Sequence, residues 1–400
     1  MNRKVKLAIV STHPVQYNAP LFALLAASNK LCVKVFYTWS QSQKGPKYDP
    51  GFGKDIEWDI PLLEGYDYSF VENISRDPGT HHFKGIVNPG LNNAIAQWNP
   101  DAVLVYGWSF VSHLKCIRYF HNKIPVLFRG DSTLLDEKPG IKIMIRRLFL
   151  RWVYSKIDLA LYAGSNNKQY FLQHGIAADR LVFCPHAIDN KRFTDRNGVC
   201  QQKAAEKKTA LGFDENNLVL LFAGKLEQKK DPFFLLALAK EITDDRLRIL
   251  IVGNGALEKE MKEKAAGDKR VHFIDFSNQS QMPVIYRMAD VFVLPSKGPG
   301  ETWGLAANEA MASGLAVMLS AKAGGAVDLV CENENGIMFE PGDIGKCKMF
   351  VELLLKDKSL LKKAKQCSLK KITGFTYQYT VEHVENLLSS IKEPKKEPHG

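Results

Sequence analysis

Ten short runs of Val, Ile, Leu, Phe and Ala, apolar at nearly every position and separated by amphipathic stretches, most constrain what this chain can become. A strand that alternates apolar and polar residues covers one face of a sheet. A strand that is apolar throughout is buried on both faces, as in parallel sheets covered by helices on either side. The first series of strands is expected at residues 6–11, 31–37, 102–106, 126–129 and 159–163, and the second at 218–223, 247–252, 271–274, 291–294 and 316–319. Two doubly wound α/β domains follow. The polar stretch "DNKRFTDRNGVCQQKAAEKK", residues 189–208, is expected to connect them, which puts the N-terminal domain at 1–195 and the C-terminal domain at 210–375. An aromatic, Gly- and Pro-rich excursion from Thr38 to about Gly90 interrupts the first series. The last residues, 393–400, are too charged and Pro-rich to pack, and disorder is expected there.

Charge narrows the partners. Formal net charge is +11 and the sequence pI about 9.1, which suits a nucleotide, an anionic membrane surface or nucleic acid. Nucleic-acid binding accounts for the charge and for no other feature, so no nucleic-acid partner is expected. The seven cysteines are odd in number, scattered and without a CxxC pair, an argument against a disulfide framework and against a zinc site. The apolar run near the N-terminus is too short for a signal peptide, and no run reaches the ~20 residues of a membrane span. A soluble, cytoplasmic protein is the expectation.

The stretch "GPGETWGLAANEAMASGLAV", residues 298–317, places two carboxylates, Glu301 and Glu309, in an otherwise nearly apolar segment. It follows a buried strand and passes through a Gly/Pro loop into a helix expected to start at Trp303 or Gly304 and to stop near Gly314. Glu301 therefore falls in a loop at the carboxyl end of a parallel strand, where open α/β sheets bind ligands. The backbone N–H groups of Thr302, Trp303, Gly304 and Leu305 form a natural phosphate cradle. Glu309, in the second turn, is suited to a ribose diol, and Glu301 to hydroxyls of a sugar beyond the phosphate. The plain alternative is a loop acid favoured by the helix dipole and a solvated helix position.

"LLFAGKLEQKKDP" adds a second signal, with Gly224 and Lys225 at the end of a strand and Lys230 five residues on. Two ammonium groups at one sheet edge suit a diphosphate whose charge grows as its bond breaks. A Lys-rich βα loop is also an ordinary solvated loop.

Together these stretches resemble a family. "FAGKLEQKKDP" is similar to the G-[RK]-L-x-x-x-K element, and "GETWGLAANEAMASG" to the E-x7-E element, of the retaining glycosyltransferases of family 4, which have the GT-B fold. "VFCPHAIDNKRF", "LRILIVGNGALEKEM" and "ENGIMFEPGD" extend the resemblance over most of residues 155–345. The resemblance implies two Rossmann-like domains facing across a cleft, with a last helix, 376–392, crossing back onto the first. It implies that Lys225 and Lys230 contact the donor diphosphate, that Glu309 binds the ribose, and that Glu301 lies beside the transferred sugar. It further implies no cofactor and no metal. The sequence agrees, having no D-x-D pair to hold a metal against a diphosphate, so lysines and a helix N-terminus take the metal's place.

The N-terminal half departs from the family pattern. In place of a Gly-rich turn after the first strand it has "STHPVQYNAPLF", where Asn18 is placed to cap a helix containing Pro20, and His13, Gln16 and Tyr17 are acceptor-site candidates. A Pro-stiffened turn with no ligand is the alternative. Where many members carry a histidine, this chain has Gly130 and Asp131; Asp131 either contacts the sugar's hydroxyls or caps a helix. Residues 141–157, "IKIMIRRLFLRWVYSKI", have five basic residues, no acid, and a stripe of Ile141, Ile145, Leu148 and Trp152. The stripe lies either on an anionic membrane, with a lipid-linked glycan as acceptor, or against the sheet. The expected activity is transfer from a nucleotide-sugar, UDP-linked before GDP-linked, to a glycan or lipid-linked glycan hydroxyl, as in bacterial surface polysaccharide synthesis. The rival readings are a GT-B epimerase or phosphorylase and a non-catalytic nucleotide-sugar-binding module.

Overall fold

A computed structural model describes residues 3–40, 47–49 and 51–392, so the expected tail 393–400 lies outside the described residues. The strands, in chain order, are β1 Val5–Ser11, β2 Leu31–Tyr37, β3 Lys47–Asp49, β4 Lys54–Ile56, β5 Asp67–Phe70, β6 Ala102–Tyr106, β7 Val126–Arg129, β8 Leu159–Tyr162, β9 Leu181–Phe183, β10 Leu218–Ala223, β11 Leu247–Val252, β12 Val271–Ile274, β13 Val291–Leu294, β14 Ala316–Ser320 and β15 Gly336–Phe339. All ten expected strands form, within a residue at either end. The ones that sequence reading missed are short or amphipathic: β5 and β9 lie at sheet edges and β15 opens on a glycine.

The chain divides into two compact units. The first holds a seven-stranded parallel sheet in the order β5-β2-β1-β6-β7-β8-β9. Its core packs Val10, Val103, Val105 and Phe128 from the strands against Leu150, Val153, Tyr154 and Phe171 from the helices. The second holds a six-stranded parallel sheet in the order β12-β11-β10-β13-β14-β15. Its core stacks Leu220, Phe222, Ile249, Ile251, Val293 and Met318 against Phe234, Leu235, Leu238 and Val351. In each sheet the chain winds outward from one central strand and then from its neighbour in the opposite direction. That reversal puts a switch point between β1 and β6 in the first sheet and between β10 and β13 in the second, the positions where loops part and leave room for a ligand.

The units divide elsewhere than at 195–210. The second begins at His186, and residues 189–208, expected as a connection, fold into it. The reason is burial: Phe193 and Ala204 are in the core, the Asp189 side chain caps helix Asn190–Phe193, and Asp195 accepts from the amides of Cys200 and Gln201. Part of the aromatic excursion, Pro46–Ile60, also belongs to the second unit. Its antiparallel β3–β4 pair is followed by Trp58, and Phe52 and Trp58 pack their rings on Phe276 at 4.8 and 6.2 Å while Asn278 donates to the Glu57 carbonyl at 2.6 Å. The last helix, Tyr377–Lys392, is part of the first unit, where it packs on helix Ala19–Ala26 and β9 and Tyr377 donates to the Tyr17 carbonyl at 2.8 Å.

Candidate functional site

The loops after β10 and β13 flank the switch point of the second sheet, and they carry the residues that the sequence singled out. After β10 the chain passes Gly224 and Lys225, makes a single 3-10 turn, Gln228–Lys230, and enters helix Phe233–Glu241. The neighbouring loop after β11 comes very close: a Cβ on Gly253, whose φ is +128°, would lie 2.1 Å from the Gly224 carbonyl oxygen. Leu226 N–H donates to the Asn254 carbonyl at 2.9 Å. The glycines Gly253 and Gly255 thus serve loop-to-loop packing.

Lys225 and Lys230 pair with different acids. Lys230 Nζ donates to Glu301 Oε2 at 2.5 Å, and Ser296 Oγ donates to the same oxygen at 3.2 Å. Glu301 is 9% exposed, and its carbonyl accepts from Gly324 at 2.9 Å, so the acid is held at both ends. Ser296 and Ser320, both fully buried, form a supporting chain in which Ser320 Oγ donates to the Ser296 carbonyl at 2.7 Å. Neither serine carried a sequence signal. Lys225 Nζ reaches Asp49 in β3 at 2.8 and 3.0 Å and lies 5.1 Å from the Phe52 ring centroid, a set of contacts that sequence reading also missed.

The helix bearing Glu309 runs Leu305–Ala312, starting one or two residues later than expected. Gly304 takes φ +95° at its N-cap, and a Cβ there would strike Leu294 Cδ2 at 2.6 Å, so only glycine makes this turn. The first helical turn follows directly, with Leu305 at its start and Ala307 N–H already bonded to the Gly304 carbonyl at 2.9 Å. Trp303 contributes a wedge: its buried indole donates to Asn308 Oδ1 at 2.8 Å, and Asn308 donates to the His186 carbonyl at 3.0 Å. Thr302 and Trp303 lie in the loop, outside the helix. Glu309 is 2% exposed and accepts from the Tyr286 hydroxyl at 2.8 Å, which overturns the solvated alternative.

In the first unit, His13, Gln16 and Tyr17 follow β1 at its switch point, all half-buried. Thr12 Oγ1 is 3.0 Å from His13 Nδ1, and the His13 ring meets Trp39 edge-on at 5.4 Å. Burial lowers the His13 pKa to about 4, so the imidazole is neutral at neutral pH. Asn18 stands at the N-cap of helix Ala19–Ala26 with Pro20 in the first turn, but its side chain makes no capping bond, because its own backbone is already helical. Asp131 is exposed in the loop after β7. The next helix begins only at Ile141 with Gly140 at its N-cap, so the capping alternative for Asp131 falls. The helix Ile141–Tyr154 removes the sheet-facing alternative for its apolar stripe. Ile141, Ile145, Leu148 and Trp152 are exposed, joined by Met144 and Phe149, while Leu150, Val153 and Tyr154 form the face against the sheet.

Two parallel-sheet α/β units, the second with a basic βα loop and paired carboxylates at its switch point, are the architecture of the GT-B fold. Residues 203–371 match the family model described as glycosyl transferases group 1. A sulfoquinovosyl transferase of Arabidopsis thaliana is 26% identical over 288 residues, 68% of this chain and 53% of that protein. An Escherichia coli UDP-Gal:alpha-D-GlcNAc-diphosphoundecaprenol alpha-1,3-galactosyltransferase is 29% identical over 219 residues, 52% of this chain and 54% of that one. The chain spans about half the length of the curated relatives it matches. The crystal structure of Anabaena Alr3699/HepE in complex with UDP shares the fold at a TM-score of 0.72 and 17% identity, over 97% of this chain and 100% of that one.

Proposed function

We propose that this chain is a retaining glycosyltransferase that moves a sugar from a nucleotide-sugar, UDP-linked before GDP-linked, to a hydroxyl of a glycan or lipid-linked glycan. The observation that carries the reading is the Lys230–Glu301 contact at the switch point of the second sheet. It brings the cation suited to the departing phosphate against the acid suited to the transferred sugar. A sugar–phosphate bond placed there would have the growing negative charge of the diphosphate beside Lys230 and Lys225, and the positive charge developing at the anomeric carbon beside Glu301. The N–H groups from Thr302 to Leu305 add backbone donors to the phosphates, and Gly224 leaves room beside them. With lysines in that role, no metal or cofactor is required.

In the proposed reaction the acceptor oxygen attacks the anomeric carbon on the face that the diphosphate leaves. The bond from that carbon to the phosphate oxygen breaks, and the hydroxyl proton passes to the departing phosphate, so configuration is retained without a protein nucleophile. Glu309 holds the ribose, away from the reacting bond. His13, Gln16 and Tyr17, with Asp131, form the acceptor end in the first unit. The diphosphoundecaprenol named for the Escherichia coli relative and the exposed ridge of helix Ile141–Tyr154 support a lipid-linked acceptor met at an anionic membrane. The setting is the inner face of the cytoplasmic membrane during bacterial surface polysaccharide assembly. No helix among the described residues is long and apolar enough to cross a membrane.

The test is a melting-temperature screen against UDP-, GDP- and ADP-sugars. A true donor at a hundred times its dissociation constant adds about 2.7 kcal/mol of stability. No shift with any of them, and no transfer or slow donor hydrolysis, would defeat the reading.

A further inference from the structure

Two of the seven cysteines, Cys331 and Cys367, are far apart in sequence and close in space. Cys116, Cys184 and Cys347 are buried in the cores, where burial pushes the Cys184 thiol up to about 11 and the other two higher still. Cys331 and Cys367 are half-buried, and the sulfurs of both lie with a Glu334 carboxylate oxygen inside a sphere of contacts no wider than 4.8 Å. Cys367 Sγ is 3.8 Å from Glu334 Oε2. A tetrahedral zinc with Zn–S near 2.3 Å and Zn–O near 2.1 Å spaces a sulfur and an oxygen ligand by about 3.6 Å. Cys367 and Glu334 thus stand within a few tenths of an ångström of ligand spacing, and the other two pairs, no more than 4.8 Å apart, need to close by at most about 1 Å.

Two of these ligands are set in place by their own turn. Glu334 and Asn335 both donate backbone N–H bonds to the Cys331 carbonyl, at 2.9 and 3.1 Å. The fully buried Asn335 side chain accepts from Cys331 N at 2.7 Å and donates to the Leu329 carbonyl at 3.0 Å. Cys367 comes from the opposite side, on helix Lys358–Ile372, which packs against the helix carrying Glu309.

We propose that Cys331, Glu334 and Cys367 bind a thiophilic divalent cation, of which zinc is the commonest in cells, through two thiolates and one carboxylate, with the fourth position open to water. Binding displaces the thiol protons to solvent, so affinity rises with pH. The cation ties helix Lys358–Ile372 to the turn ahead of β15 and stiffens the second unit behind its switch-point loops. The site is independent of the proposed transfer reaction and takes no part in it.

The test is titration of the full-length, fully reduced protein with cadmium, whose bonds to thiolate give an ultraviolet charge-transfer band, with zinc as competitor. One equivalent should saturate the band, and zinc should abolish it. Cys331→Ser and Cys367→Ser should each remove it, and Glu334→Gln should weaken binding without removing it. Metal-free melting temperatures show whether each variant is folded. Absence of a band in the reduced protein overturns the proposal, and so does an unchanged band in folded Cys367→Ser. Uptake that survives both cysteine variants but disappears in His82→Ala would place the cation on the Asp77, His81 and His82 cluster instead, and would overturn it equally.

Discussion

Asp49 grips the Lys225 ammonium with both carboxylate oxygens, at 2.8 and 3.0 Å, inside the second unit. Lys225 is one of two lysines proposed to meet the donor diphosphate, so a bound diphosphate and Asp49 compete for the same charge. Both side chains are about a third exposed, and a screened pair of that kind is worth ~0.2–1 kcal/mol. Asp49→Asn should therefore tighten UDP binding by up to about fivefold. Calorimetry checks this. Weaker binding in the variant would mean that Asp49 assists the donor.

In the proposed reaction, Lys230→Ala removes a cation whose contact strengthens as the diphosphate departs. Turnover at saturating donor should fall on the order of a hundredfold or more. A rate within a few-fold of wild type would remove Lys230 from the reaction.

How much of this was legible depended on how local the signal was. Strands such as 218–223 and 291–294 announce themselves because burial on both faces makes every residue apolar. The lysines and glutamates were legible because short loops at the carboxyl ends of such strands have few places to go. The partners of those residues were not. Asp49 and Tyr286 reach the site from other elements, and nothing in their own neighbourhoods or in that of Ser296 marks them. Residues 189–208 read as a connection because their polar majority hid Phe193 and Ala204, the two positions that bury them. The ridge on helix Ile141–Tyr154 had the spacing of a core-facing stripe, and only the packing of Leu150, Val153 and Tyr154 showed which side faces the sheet.

His113 is fully buried, with Nδ1 2.9 Å from the Tyr106 carbonyl and Nε2 3.0 Å from Thr38 Oγ1. Burial lowers its pKa to about 4 from an ordinary 6.5. The unfolded chain therefore takes up this proton below about 6.5, and the folded chain only below about 4. Stability from the neutral ring is fully present above pH 6.5 and is lost as pH falls toward 4. The total is on the order of 3 kcal/mol. Denaturant melts of His113→Gln should show a shallower decline across that window than wild type. Parallel profiles would rule the group out as a source of acid sensitivity.

The exposed ridge of helix Ile141–Tyr154 is flanked by Lys142 and Arg146 on one side and by Arg147 and Arg151 on the other, at 100° per residue. Arg118 lies over the Trp152 ring at 5.5 Å. Anionic vesicles should pull the protein down in sedimentation, less so at high salt, and neutral vesicles should not. Ile145→Glu combined with Leu148→Glu should lose most of this binding while leaving UDP affinity intact, since both side chains are more than 60% exposed. Undiminished vesicle binding by the double variant would point elsewhere on the surface.

The central claim divides two acids between two jobs: Glu301, against Lys230, at the bond that breaks, and Glu309, bonded by Tyr286, at the ribose that does not react. The direct test pairs calorimetric UDP affinity with single-turnover transfer rates for Glu301→Gln and Glu309→Gln, two changes that preserve size. Glu301→Gln should keep UDP affinity nearly intact and depress the rate, whereas Glu309→Gln should chiefly weaken UDP binding. Normal turnover by Glu301→Gln, or wild-type UDP affinity in Glu309→Gln, would contradict the assignment.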